Sequence, residues 1–174
     1  MIPMVKITKA PPAEREDGPL DFASFYTEQR TALLRGLILV TGNSAEADDL
    51  TQEAFARILE RWDRVRSMES PAGYLFRTAL NLHRSRLRSL LRRKAVPMSD
   101  TPRDAIAETD DRAMVHRALQ RCTPEQRSAL VLVHLVGMSS EEAGAILGID
   151  GDAVRARLAR GRQTLRDALG GLDD

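Results

Sequence analysis

Two helix-length segments joined by the short turn Gly148-Ile149-Asp150-Gly151 constrain this chain more than any other feature. The first opens on Ser139 and Ser140, which suit an N-cap, and on Glu141 and Glu142, which suit the positive end of a helix dipole. Gly148 can take positive φ, and Asp150 or Asp152 is available to cap the second segment. In that segment Val154, Leu158, Gly161, Leu165 and Leu169 recur at helical spacing as one buried stripe. Arg155, Arg157, Arg160, Arg162 and Arg166 lie off that stripe, against only Asp152 and Asp167. Two such helices at a tight turn, with cations on the second, predict a helix-turn-helix that enters a major groove. A surface helix with solvated arginines is the plainer alternative.

The 174 residues suffice for one domain or two small ones, and 43% hydrophobic with 29% charged residues describes a globular protein. Aromatics are only 4%, while Leu, Ala, Arg and Glu abound, which favours helices throughout. The net charge of +1 conceals a local separation of sign. Cys122 is the only cysteine, so an internal disulfide and a cysteine zinc cage are excluded. His83, His116 and His134 show no metal-ligand spacing. No apolar run approaches the roughly 20 residues that cross a bilayer, and no secretory signal is apparent at the N-terminus. A cytoplasmic setting without membrane insertion is expected.

The expected class is all-α: two small helical domains joined by an acidic linker, the C-terminal one a helix-turn-helix. Residues 1–19 hold four prolines and no period, and are read as a flexible tail. Residues 20–95 form the first unit. A long helix runs from Phe22 to a stop at Gly42 and Asn43. Ser44 starts a second helix, with Leu50, Ala54, Phe55, Ile58, Leu59 and Trp62 on its apolar face. A polar loop over residues 63–70 then leads to Pro71 at the first turn of a third helix. Residues 96–111 carry five acids against Arg103 and are read as the linker. Residues 112–174 form the second unit, with Pro124 at a helix start and helix over residues 125–136.

Between Arg77 and Lys94 there are seven Lys or Arg and no acid. At 100° per residue Phe76, Ala79, Leu80, Leu87, Leu90 and Leu91 fall together, while Arg77, Asn81, Arg84, Arg88 and Arg92 form a separate row. A row of like charge disfavours an isolated helix, so an anionic partner is its simplest reason. Asn81 both donates and accepts, and so suits a base edge as well as plain solvent. His83 points into the apolar face as a core histidine. Glu46, Asp48, Asp49, Gln52 and Glu53 make an acidic face; Asp49 and Glu53 stand one turn apart and could share an ion, but docking on a basic protein surface accounts for them better. No catalytic set converges anywhere, and no cofactor is implied. Cys122 is read as a buried structural thiol.

The run Glu46-Ala47-Asp48-Asp49-Leu50-Thr51-Gln52-Glu53-Ala54-Phe55, then Pro71-Ala72-Gly73-Tyr74-Leu75-Phe76-Arg77-Thr78-Ala79-Leu80-Asn81, then the helix-turn-helix, resembles the bacterial extracytoplasmic-function (ECF) sigma factors over residues 20–170. The resemblance implies a non-enzymatic factor that binds core RNA polymerase and directs promoter recognition, −10 melting and initiation. Asp49, Gln52 and Glu53 would dock on the clamp helices of the largest polymerase subunit. Arg77, Asn81, Arg84 and Arg88 would serve the −10 element, Asn81 at a flipped base in a pocket shaped by residues 64–70. Arg155, Arg157 and Arg160 would contact the −35 element, and an anti-sigma factor is a further partner of many relatives. Ser85, Tyr74, Ala153, Ala156 and Ala159 depart from common family residues and bear on promoter sequence. The rival is an ordinary helix-turn-helix regulator with a dimerisation or ligand-sensing first unit, which needs neither residues 49–55 nor the basic row. A carboxylate-metal hydrolase is a more distant alternative.

Overall fold

The computed structural model describes residues 20–92 and 110–170, and every regular element among them is helical. The expected tail and residues 96–109 of the expected linker lie outside the described residues. Asp21 starts α1 (Phe22–Thr41), its carboxylate accepting from the amides of Ala23 and Ser24, donors that a helix start leaves free. Gly42 ends α1 at a φ of 75°. Asn43 then caps α2 (Ser44–Leu59), its Oδ1 accepting from the Glu46 amide at 2.9 Å.

Leu59, the last residue of α2, stands 180° from Leu50 on the helix and is 54% exposed rather than on the apolar face expected for it. Trp62, expected on that same face, instead opens a one-turn helix, α3 (Trp62–Val65), whose other residues fall in the segment expected to be a polar loop, and Val65 is buried. Pro71 opens α4 (Pro71–Arg92). The next helix, α5 (Asp110–Gln120), takes in the last two residues assigned to the linker. Thr123 and Gln126 close a capping box at α6 (Pro124–Leu130), with Pro124 at the helix start. The chain then widens into a π-helical segment, Val131–Leu135, where the sequence predicts plain α-helix. A second capping box, Ser139 with Glu142, starts α7 (Ser140–Leu147). Gly148 stops α7 at φ 72°, and Asp150 caps α8 (Gly151–Gly170), accepting from the Ala153 amide.

Helix α1 packs on α2 and α4, and α8 packs on α5, α6 and α7. The halves also meet: α1 touches α5, α6 and the π segment, and α4 touches α7. One apolar core therefore runs from Phe25 and Leu37 through Leu132 to Val154 and Leu158. Every aromatic residue lies between Phe22 and Phe76. The Trp62 ring stands 5.4 Å from Phe22 and 5.1 Å from Phe25, and Tyr26 stands 4.6 Å from Phe55. The second half packs with aliphatic side chains and Cys122, whose buried Sγ donates to the Gly161 carbonyl at 3.7 Å. Burial pushes the Cys122 thiol pKa up, as suits a structural thiol.

The turn of the helix-turn-helix lies hard against its first helix. A Cβ at Gly144 would stand 2.6 Å from the Ile149 carbonyl oxygen, a backbone atom that cannot swing aside. Gly144→Ala is expected to cost about 1–3 kcal/mol of unfolding free energy in urea titrations followed by circular dichroism. Gly170→Ala, where the space is open, should change stability by no more than about 0.5 kcal/mol. Equal effects at the two positions would contradict this packing.

Candidate nucleic-acid interface

Helix α4 buries Leu75, Phe76, Ala79, Leu80, Leu82 and His83 and leaves Arg77, Asn81, Arg88 and Arg92 exposed, with Arg84 half-buried. Leu90, expected on the apolar face, is 40% exposed near the helix end. Between the outer face of α4 and the end of α2 lies a cavity of about 340 Å³, lined by Arg57, Glu60, Arg61, Tyr74, Thr78 and Asn81. Tyr74 supplies an aromatic ring, Asn81 an amide that donates and accepts, and Arg57 and Arg61 cationic donors, with Glu60 the acid in the lining. That combination suits an unpaired nucleotide, with its planar base and anionic backbone. Residues 64–70, expected to shape this pocket, do not line it. Arg64 instead lines a neighbouring hollow with Leu59 and Trp62.

In the helix-turn-helix, Val154, Leu158 and Gly161 of α8 are buried and the arginines face outward. Their surroundings differ. Arg160 is exposed and has no carboxylate partner among the described residues. Arg157 is half-buried and close enough to Arg84 to oppose its charge; the Arg84 pKa is lowered first by burial and then by Arg157. Arg84 Nη1 donates to the Leu147 carbonyl at 3.4 Å, so the expected −10 row touches the end of α7. Arg155 is held by two acids: Nη1 donates to Glu141 Oε1 at 2.7 Å, and Nε and Nη2 donate to Asp152 Oδ1 at 3.2 and 2.7 Å. Hydrogen bonding to Arg155 keeps the Glu141 carboxyl below its ordinary pKa.

The acidic face of α2 is largely paired off. Glu46 Oε1 lies 3.0 Å from Nδ1 of buried His83, which is the satisfied core histidine expected. Glu53 accepts from Arg57 and Arg86, each at 2.8 Å, and Asp48 accepts from Gln52 at 2.7 Å. Asp49 is exposed and without a described partner, and Gln52 beside it is exposed. Among the described residues no group of three or more His, Cys, Asp or Glu side chains is placed to hold a metal ion. No described helix is long and apolar enough to cross a membrane.

Comparison with known proteins matches residues 25–93 to Sigma-70 region 2 and residues 112–165 to Sigma-70, region 4. The chain belongs to the sigma-70 family. It is 33% identical over 156 residues to the RNA polymerase sigma-E factor of Streptomyces coelicolor, covering 86% of each chain. It is 36% identical over 140 residues to the ECF RNA polymerase sigma factor SigE of Mycolicibacterium smegmatis, 75% of this chain and 54% of that one. The sigma factor RpoE of Bartonella quintana, solved in complex with the anti-sigma factor NepR, shares the fold with a TM-score of 0.75 at 24% identity, over 86% of this chain and 97% of that one. These likenesses place the protein among the ECF sigma factors, which act in promoter recognition and transcription initiation.

In this sigma factor Arg77, Asn81, Arg84 and Arg88 share one face of α4, as expected. Asn81 gains neighbours that sequence reasoning did not place beside it: Tyr74, Thr78, Arg57 and Arg61. Glu141 and Asp152 are likewise new as partners of Arg155. The Asp152 spacing of one helical turn was available as a signal; that of Glu141, across the turn, was not. Glu46 also carries a pH dependence. Its folded pKa is lowered, first by the hydrogen bond from His83. The stability it contributes is therefore present above the ordinary glutamate value of 4.5 and is lost as pH falls through the folded value. Glu46→Gln is expected to lower stability at pH 7 by about 1–2 kcal/mol, with the gap closing in acid. Unfolding midpoints between pH 7 and 3 check this, and a gap independent of pH would contradict it.

Proposed function

We propose that this sigma factor docks core RNA polymerase through α2, captures an unstacked −10 base beside α4, and reads the −35 element with α8. Residues 20–95 are the polymerase and −10 unit, residues 96–111 the connecting linker, and residues 112–174 the −35 unit. The observation that carries the reading is the cavity in which Asn81 stands with Tyr74, Arg57 and Arg61, at the edge of an otherwise cationic helix face. A stacked base cannot reach such a cavity, whereas a base swung out of the duplex can. Arg77 and Arg88 extend the cationic track along which the displaced strand would lie. Arg160 and Arg157 supply charge at the second element.

Asp49 and Gln52 are the exposed members of the docking set, for the clamp helices of the largest subunit. Glu53 acts there partly by pairing Arg57 and Arg86. Arg84 also donates to the Leu147 carbonyl at the end of α7, so it joins the −10 row to the second unit. The protein works without chemistry of its own, in the cytoplasm. An anti-sigma partner accords with the complex in which the Bartonella quintana relative was solved.

Run-off transcription with purified core polymerase on genomic fragments tests the reading and maps its promoters. Asp49→Arg is expected to weaken association with core polymerase in a competition assay. Asp49 has no described partner, so the fold should be unchanged by circular dichroism. Asn81→Ala is expected to keep that association yet lose permanganate-reactive thymines at −10. Arg160→Ala should weaken promoter binding by about 1–3 kcal/mol. A chain that never directs initiation, or an Asn81→Ala variant that melts −10 normally, overturns the assignment.

A further inference from the structure

Arg155 stands apart from the other α8 arginines because two carboxylates hold its side chain. A guanidinium has five N–H donors. Asp152 takes one from Nε and one from Nη2, and Glu141 takes one from Nη1. One N–H therefore remains on each terminal nitrogen. Two donors on neighbouring guanidinium nitrogens suit O6 and N7 of guanine in the major groove. The two carboxylates also outweigh the single positive charge. A phosphate brought to this corner meets net negative charge and would have to displace an acid. A guanine edge asks only for two aligned donors.

We propose that Glu141 is a specificity-determining positioning residue: with Asp152 it aims Arg155 at a guanine in the −35 element and keeps Arg155 from acting as a general phosphate contact. Glu141 belongs to α7 and Asp152 to the first turn of α8, so the guanidinium is anchored from both helices of the motif. Its orientation before binding is thus set by the helix-turn-helix itself, and little side-chain freedom is left to lose on DNA. Arg160, with no described acid, acts as the charge-driven contact in the same helix. This inference rests on the assignment of α8 as the −35 reader.

The test uses holoenzyme reconstituted from core polymerase and the full chain, on a promoter mapped by the run-off assay. Each −35 G·C pair is replaced in turn, and binding is measured across a salt series. The unaltered chain should discriminate about tenfold at one such pair. Arg155→Ala should abolish discrimination at that pair and leave the others. Glu141→Gln should reduce the discrimination to about twofold at the same pair, raise affinity for the substituted fragment, and steepen log K against log salt by about 0.9 as a freed cation takes up a phosphate. A role confined to holding α7 on α8 predicts something else: equal losses on every fragment and an unchanged slope. That result, or a Glu141→Gln variant indistinguishable from the parent, overturns the proposal. If Arg155→Ala itself discriminates like the parent at every pair, Arg155 is no base reader, and it is the underlying −35 assignment of this residue that fails.

Discussion

Burial of α1 on two sides joins α4 and the helix-turn-helix into one body. Leu33, Leu37 and Val40 are buried along it, and Gly36 lets Val131 and Leu135 of the other half come close; a Cβ there would stand 3.2 Å from Val131 Cγ1. Each such aliphatic side chain contributes about 1.5–3 kcal/mol on burial, whereas an exposed ion pair contributes about 0–1 kcal/mol. Packing therefore decides where α4 and α8 lie. The ion pairs decide how their arginines point.

That division explains how a chain with a net charge of only +1 presents cationic faces. The acids are spent selectively. Glu53 takes Arg57 and Arg86, and Glu141 and Asp152 take Arg155. Arg77, Arg88 and Arg160 have no carboxylate partner among the described residues and keep their full attraction for phosphate. Two classes of arginine result on neighbouring surfaces, one without a described carboxylate partner and one held by carboxylates.

Helix ends were legible because their causes are local. Gly42, Pro71, the Thr123–Pro124 start and Gly148 each act within a turn of their own position. The apolar stripe of α8 was legible as far as Gly161 for the same reason. What escaped was set by neighbours distant in sequence. Periodicity says which face of a helix is polar but not which side chain lies opposite, so the His83–Glu46 contact, 37 residues apart, and the Arg86–Glu53 contact, 33 apart, could not be drawn from it. The short α3 was missed because one turn has no period to detect. The π segment was missed because it alters hydrogen-bond pairing without altering composition. The cavity beside Asn81 is lined from the end of α2 by Arg57, Glu60 and Arg61 and not by residues 64–70, a neighbourhood set by packing that periodicity does not carry.

The crowding of every aromatic ring into the first half has a practical consequence. Trp62 is the chain's single tryptophan, packed against Phe22 and Phe25. Its fluorescence is an intrinsic, label-free optical probe of the corner built by α1, α2 and α3. The half that bears α8 contains no indole and stays dark in the same emission band.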